Sequence, residues 1–326
     1  MCADHAETLA KVVEALPRIG IHRCPVLVSA TRSGFHPTAS VTIVEEHGGF
    51  ALGGNKVRQV DALLAQALAS GADCVVSSAG PQSNFCRVVA AGARAAGLDP
   101  YLVLRGRGLP EYPQGNQRLY VLTGAELTFV DTDDPLDDAQ ERAMAEVAER
   151  LRQEGRTPAV IDIRAAAAGL VCAAASTAIV EELEAAEARL PDRIVMASGS
   201  GNTAAGVLAA LAARGAETTV TAVATAVDAE RLRPRITARA ADVLAFAGLD
   251  PGLIDEGRLE VDGGQLGGGH GKATLAALEA QRHTARTCGV FLDTTYTAKA
   301  MASLLADPRP GAVSFIHSGG APTIFT

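Results

Sequence analysis

GGNKVRQVDALLAQALASGADCVVSSA, residues 53–79, reads as a glycine turn, an amphipathic helix and a β-branched strand in direct succession. Asn55 is placed to cap the helix, Val57, Val60, Leu63, Leu64, Ala67 and Leu68 share one face, and Gly71 stops it. From about residue 55 onward the same alternation continues, with strands expected at CVVSSA 74–79, YLVLRG 101–106, LTFVD 127–131 and AVIDI 159–163. A second series follows with RIVMASGS 193–200, TVTAVATA 219–226, VFLD 290–293 and AVSFIHS 312–318. Short β-branched runs separated by helical runs are the pattern of parallel sheets with crossover helices, so the chain is expected to be α/β.

The 326 residues are 48% hydrophobic and 20% charged, enough apolar material for one large core or two smaller ones. The net charge of -8 and the lack of a basic cluster argue against a nucleic-acid surface or an anionic membrane as partner. The partner expected instead is a small molecule. The start, MCADHAETLAKVVEALPRIG, carries two acids before any apolar run and reads as an amphipathic helix, not a secretory signal. No stretch reads as a membrane span of ~20 apolar residues free of charges and turn residues, so a cytoplasmic protein is expected. Six scattered cysteines without a C-x-x-C pair read as reduced thiols, and seven scattered histidines without i, i+4 spacing predict no metal site. The acidic segment DTDDPLDDAQ at 131–140 reads as a loop entering a charged helix.

Five elements carry chemistry. In GGNKVR, Gly53 to Arg58, a lysine stands on the first turn of a helix beside glycines that let a flat ring approach the backbone. In GSGNTAAG, Gly199 to Gly206, a turn follows a strand and opens a helix, where backbone N–H groups and the helix dipole favour a phosphate. It is not the dinucleotide fingerprint, because position 204 is Ala and the candidate acid Asp228 lies beyond the next strand. SSAGPQSNFCR, Ser77 to Arg87, turns at Gly80 and Pro81 and presents Gln82, Ser83 and Asn84 at a helix start, where Ser83 or Asn84 could equally be a plain N-cap. LDTTYTAKAM, Leu292 to Met301, and FIHSGGAP, Phe315 to Pro322, complete the set, each at the carboxyl end of an expected strand where open α/β sheets collect ligands.

In this order and spacing the five elements resemble the family of 1-aminocyclopropane-1-carboxylate (ACC) deaminase and D-cysteine desulfhydrase, from about Pro25 to the C-terminus. The resemblance implies a two-domain, tryptophan-synthase-beta-like enzyme of PLP fold type II, each domain an open, mostly parallel sheet flanked by helices. Residues 1–54 with 165–326 would form the large domain and 55–164 the small one. The implied cofactor is pyridoxal 5'-phosphate (PLP), held as a Schiff base on Lys56, which needs a water-poor pocket and a lowered pKa. Asn84 would meet the cofactor's phenolic oxygen and Ser83 the substrate carboxylate and reacting carbon. Gly199, Ser200, Gly201, Asn202 and Thr203 would cradle the phosphate, Tyr296 would stand over the substrate, and Thr297 would meet the pyridine nitrogen. A homodimer is also implied.

Several positions depart from that family. ACC deaminases carry a glutamate after the active-site tyrosine, where this chain has Thr297. A hydroxyl cannot hold the pyridine proton, so loss of a good β-leaving group is expected to be easier than cyclopropane opening. A second tyrosine of a G-Y-G turn is matched by His270 in GGGHGK, and an imidazole there could act as a base or bind an anion. Phe85 replaces a histidine, Gln59 a lysine, and RAAAAGLVCAA at 164–174 lacks a glycine-serine turn.

The leading expectation is therefore a lyase that removes the α-proton of a small β-substituted amino acid, expels the β-group and releases pyruvate and ammonia. β-Replacement by an incoming nucleophile would use the same residues. ACC deamination comes third, followed by a PLP-binding protein without turnover, and a nicotinamide-dependent oxidoreductase comes last.

Overall fold

The computed structural model describes residues 2–46, 49–132, 134, 137–187 and 189–326. After α1 (Cys2–Glu14), β1 (Leu27–Ala30) and β2 (Ala39–Glu45), the chain alternates α2 (Lys56–Ala69), β3 (Cys74–Ala79), α3 (Asn84–Ala95), β4 (Asp99–Arg105), α4 (Gly115–Leu122), β5 (Glu126–Val130), α5 (Ala139–Gln153) and β6 (Pro158–Ile161). It continues through α6 (Ala166–Ser176), α7 (Ala178–Ala186), β7 (Arg193–Ser198), α8 (Asn202–Arg214), β8 (Thr219–Ala224), α9 (Ala229–Phe246), β9 (Leu259–Asp262), α10 (Leu275–Cys288), α11 (Thr297–Ala306) and β10 (Gly311–His317). Two sheets result, one of six strands in the order β1-β2-β10-β7-β8-β9 and one of four in the order β5-β4-β3-β6. Every pairing is parallel except that of β1 with β2.

Alternation across the large sheet separates two cores. On β7, Ile194 and Met196 face the helices α1, α6, α7, α8 and α9, whereas Val195 joins Val313 and Phe315 of β10 against α10 and α11. The small sheet is covered likewise: Cys74, Val76 and Val103 pack on Met144, Val147 and Leu151 of α5. On its other face, Val75 packs with the buried stripes of α2 and α3. Helices α6 and α8 approach so closely that a Cβ at Gly206 would lie 2.1 Å from the Ala173 carbonyl oxygen.

Four expectations need correction. VFLD at 290–293 is not a strand: the Leu292 carbonyl accepts Gln281 Nε2 at 2.6 Å, and Asp293 turns to serve the start of α11, so the backbone bonds to side chains instead of a sheet neighbour. Strands β1 and β9, four residues each at the two sheet edges, and the seven-residue inner strand β2 were not among the strands expected. Asn55 occupies the cap position of α2 but in helical conformation, and its side chain reaches away to Thr203. The helical stretch Ala166–Ala186 is long and apolar enough to cross a membrane, yet most of it is buried against the rest of the fold, as a core helix would be. The loop ahead of α5 falls partly outside the described residues.

Candidate active site

Lys56 opens α2 at the carboxyl ends of the strands. The preceding turn is folded against a second glycine turn: a Cβ at Gly54, whose φ is +97°, would lie 3.0 Å from the Ser318 carbonyl oxygen and 3.4 Å from Gly319 Cα. Arg87 of α3, fully buried, donates from Nη2 to the Gly53 carbonyl at 2.8 Å, so three of the five elements meet here. Behind the turn, Arg58 is clamped between Glu46 (Nε to Oε1, 3.0 Å) and Glu182 (Nη2 to Oε2, 2.9 Å), which fixes the first turn of α2.

Part of the Lys56 surface stays open to the cleft, but so much protein surrounds the amine that desolvation pushes its pKa down, against the pull of Cys172 and Glu46. Its Nζ donates to Gln59 Oε1 at 3.1 Å, and Gln59 Nε2 donates to Ser176 Oγ at 3.2 Å and Thr203 Oγ1 at 3.0 Å. Asn55 Nδ2 also donates to Thr203 Oγ1, at 2.8 Å. The Thr203 oxygen thus accepts two N–H groups, which leaves its own proton to be given elsewhere.

Thr203 belongs to the turn between β7 and α8, where Gly201 has φ +91° and starts the helix. Around this turn Ser198 Oγ, Asn202 Nδ2, Thr225 Oγ1 and His270 Nδ1 are buried without a partner. Buried polar groups are ordinarily satisfied, and donors at a helix N-terminus suit an anion. Ser200 Oγ, by contrast, sits 3.5 Å from the Asn202 amide and closes the turn.

Tyr296 directly precedes α11, and its ring lies 3.5 Å from where a Gly199 Cβ would stand. His270 packs edge-on against it, with ring centroids 5.5 Å apart. His270 and Tyr296, 26 residues apart in the chain, are thus brought into contact. Burial lowers the His270 pKa, with a backbone contact at Thr225 pulling the other way, and burial raises that of the Tyr296 phenol. Lys299, wholly buried one turn along α11, donates to the carbonyls of Leu266 (2.8 Å) and Gly269 (3.2 Å) and so clasps the glycine-rich loop that presents His270.

Thr297 is fully buried and engaged: its hydroxyl donates to Asp293 Oδ1 at 2.7 Å and accepts the Asp293 N–H at 2.8 Å. Asp293 also accepts the amides of Thr295, Tyr296 and Thr297 at 2.9 Å each, and a Cβ at Gly320 would meet its Oδ1 at 2.6 Å. Sequence reasoning missed Asp293 and Lys299. The i, i+4 spacing of Asp293 and Thr297 was the available signal for the first, hidden by the misread strand.

From the small sheet, Ser83 caps α3 by accepting the Cys86 amide at 3.1 Å, the plain role that the sequence left open for it. Asn84 Oδ1 accepts Asn116 Nδ2 at 3.0 Å, and the Asn116 backbone N–H donates to Gln82 Oε1 at 2.8 Å. Arg105, at the carboxyl end of β4, lies beside this turn. Among the described residues no cluster of three His, Cys, Asp or Glu side chains is disposed to hold a metal.

A family model described as "Pyridoxal-phosphate dependent enzyme" matches residues 21–319. The chain belongs to that family. This PLP-dependent enzyme is 32% identical over 291 residues to the 1-aminocyclopropane-1-carboxylate deaminase of Burkholderia cenocepacia, covering 85% of each chain. It is 31% identical over 285 residues to the D-cysteine desulfhydrase of Yersinia enterocolitica, covering 84% of each. A solved structure described as an ACC deaminase homologue superposes with TM-score 0.85 at 26% identity over 98% of this chain and 96% of that one. Fold type II is therefore the architecture, and the partly buried amine of Lys56, the anion-suited turn and its unpartnered donors fit the cofactor.

Proposed function

We propose that this enzyme catalyses α,β-elimination from a small β-substituted amino acid, in the manner of a D-cysteine desulfhydrase. The balanced reaction takes one amino acid and one water to pyruvate, ammonia and the protonated β-group: the Cα–H and Cβ–X bonds break, and X leaves with its electron pair. Residues 1–54 with 165–326 would act as the large domain and 55–164 as the small one, with Lys56 at their junction.

Bound PLP supplies the electron sink for charge developing at Cα. The amine of Lys56, kept neutral more readily by burial, takes the α-proton. Asn84 and the turn at 199–203 hold the cofactor's oxygen and phosphate, and Ser83 receives the substrate carboxylate. Tyr296, its phenol held protonated by burial, donates across the reacting face, and neutral His270 beside it accepts a proton or orders water.

The observation that carries the reading is Thr297. The position expected beside the pyridine nitrogen bears a neutral hydroxyl whose proton is already given to Asp293. With a weaker sink, the substrate must bring a good leaving group, which ACC lacks. The test is a panel of D- and L-amino acids with β-thiol, β-acyloxy, β-phosphate and β-sulfonate groups, scored by pyruvate release against ACC turnover. At least one β-substituted substrate should exceed ACC by more than ~10²-fold in kcat/KM, about 2.7 kcal/mol in the barrier. ACC turnover equal to the best of them would overturn the proposal.

A further inference from the structure

Arg105 is the last residue of β4, at the carboxyl end of the small sheet. A Cβ at Gly80 would lie 2.8 Å from its Nη2, so the Nη2 end of the guanidinium abuts the turn that delivers Ser83 and Asn84. Its Nη1 donates to Gln140 Oε1 at 3.2 Å. Gln140 is itself fixed, donating from Nε2 to the Ala79 carbonyl at 3.0 Å, so its oxygen is aimed at the arginine and holds it from behind. The partner is neutral, and among the described residues no carboxylate forms an ion pair with Arg105. A half-buried cation without a counter-charge is costly and needs a reason.

The charges around it narrow the choice. Tyr296 and His270, from the opposite side of the cleft, both feel the Arg105 charge. Arg164 adds a second positive charge nearby but is neutralised by Asp162, 3.1 Å away. Asp134, exposed in the loop after β5, also acts on the Arg105 charge. Of the guanidinium's five N–H donors one is used, and the planar fork that remains matches an oxyanion.

We propose that Arg105 receives an anionic β-substituent of the substrate, so that this enzyme acts on amino acids whose leaving group is a phosphate or a sulfonate. The inference rests on the elimination reading and names its substrate class. As the Cβ–O or Cβ–S bond breaks, the electron pair moves onto the departing group, leaving as phosphate from O-phosphoserine or as sulfite from cysteate. Water then completes release of pyruvate and ammonia. A cation placed where that charge grows favours the transition state over the bound substrate.

The holoenzyme and its Arg105→Gln and Arg105→Lys variants are assayed with O-phosphoserine, cysteate and O-acetylserine as D- and L-forms. Calorimetric titration with the non-cleavable 2-amino-3-phosphonopropanoate and with neutral 2-aminobutyrate gives affinity independently of turnover. Arg105→Gln should lose about 10- to 100-fold in kcat/KM for the anionic substrates and in affinity for the phosphonate, and change less than about 3-fold with the neutral compounds. Arg105→Lys should fall between. Whichever of phosphoserine and cysteate is turned over faster identifies the group. Equal effects on neutral and anionic compounds, or none, overturn the role of Arg105 while elimination from O-acetylserine leaves the reaction class intact. Charge-selective loss of phosphonate binding without pyruvate from any substrate keeps Arg105 and overturns elimination.

Discussion

Replacing Thr203 with Val tests the cofactor turn at one oxygen. Valine keeps the shape and removes an acceptor shared by Asn55 Nδ2 (2.8 Å) and Gln59 Nε2 (3.0 Å). Gln59 retains Ser176 Oγ at 3.2 Å for one of its two N–H groups, so one buried N–H of Gln59 and one of Asn55 are stranded. A stranded buried donor costs ~1–3 kcal/mol, which urea unfolding of the apoprotein should show as lost stability. If Thr203 holds the phosphate as proposed, the same change deletes a hydroxyl donor to it, and a hydrogen bond to a charged group is worth ~1.5–3 kcal/mol, or about 10- to 150-fold in PLP affinity. Spectral titration of the apoprotein with PLP measures it, and Thr203→Ser should restore both properties. If the valine variant is destabilised yet binds PLP as tightly as the parent, Thr203 is only a brace between α2 and α8. If neither property changes, the network through Gln59 has no energetic meaning.

Two further outcomes follow from buried charge. Arg58→Met should destabilise by ~3–5 kcal/mol because it strands Glu46, and Glu46→Gln in that background should recover much of it. Burial already raises the Glu46 pKa above 4.5 and losing Arg58 raises it further, so the variant's deficit should grow as pH rises from there and shrink in acid, measured by urea unfolding at several pH values. His270→Ala should lower turnover ~10²-fold with PLP affinity unchanged. Since the His270 pKa lies below 6.5, its neutral form is lost only as pH falls through that lower value, and the matching acidic limb of the rate profile should vanish in His270→Ala.

The parallel sheets were legible because alternation between β-branched and helical runs is written locally, and seven of the eight expected strands form. The eighth failed because VFLD has strand composition but its hydrogen bonds go to Gln281, His317 and the start of α11. Composition cannot report where a carbonyl finds its donor. The chemistry-bearing motifs were legible for a similar reason: glycine turns with an adjacent lysine, asparagine or tyrosine are short and ordered along the chain.

Relations between those motifs were not. Asn55 reads as a cap within its own segment, yet its side chain joins Thr203, 148 residues away, and Lys299 reads as a surface lysine until it is found holding the His270 loop 33 and 30 residues back. Arg105 has the sequence context of any residue ending a strand, and only the floor at Gly80 and the fixed amide of Gln140 give it a direction. By itself the sequence determined the α/β alternation, because that depends on local period, and the order of its motifs carried the family resemblance that implied the fold type and the cofactor. The tertiary structure decided which donors are spent and which are free, because that depends on distances set when two sheets bring their carboxyl ends to one cleft.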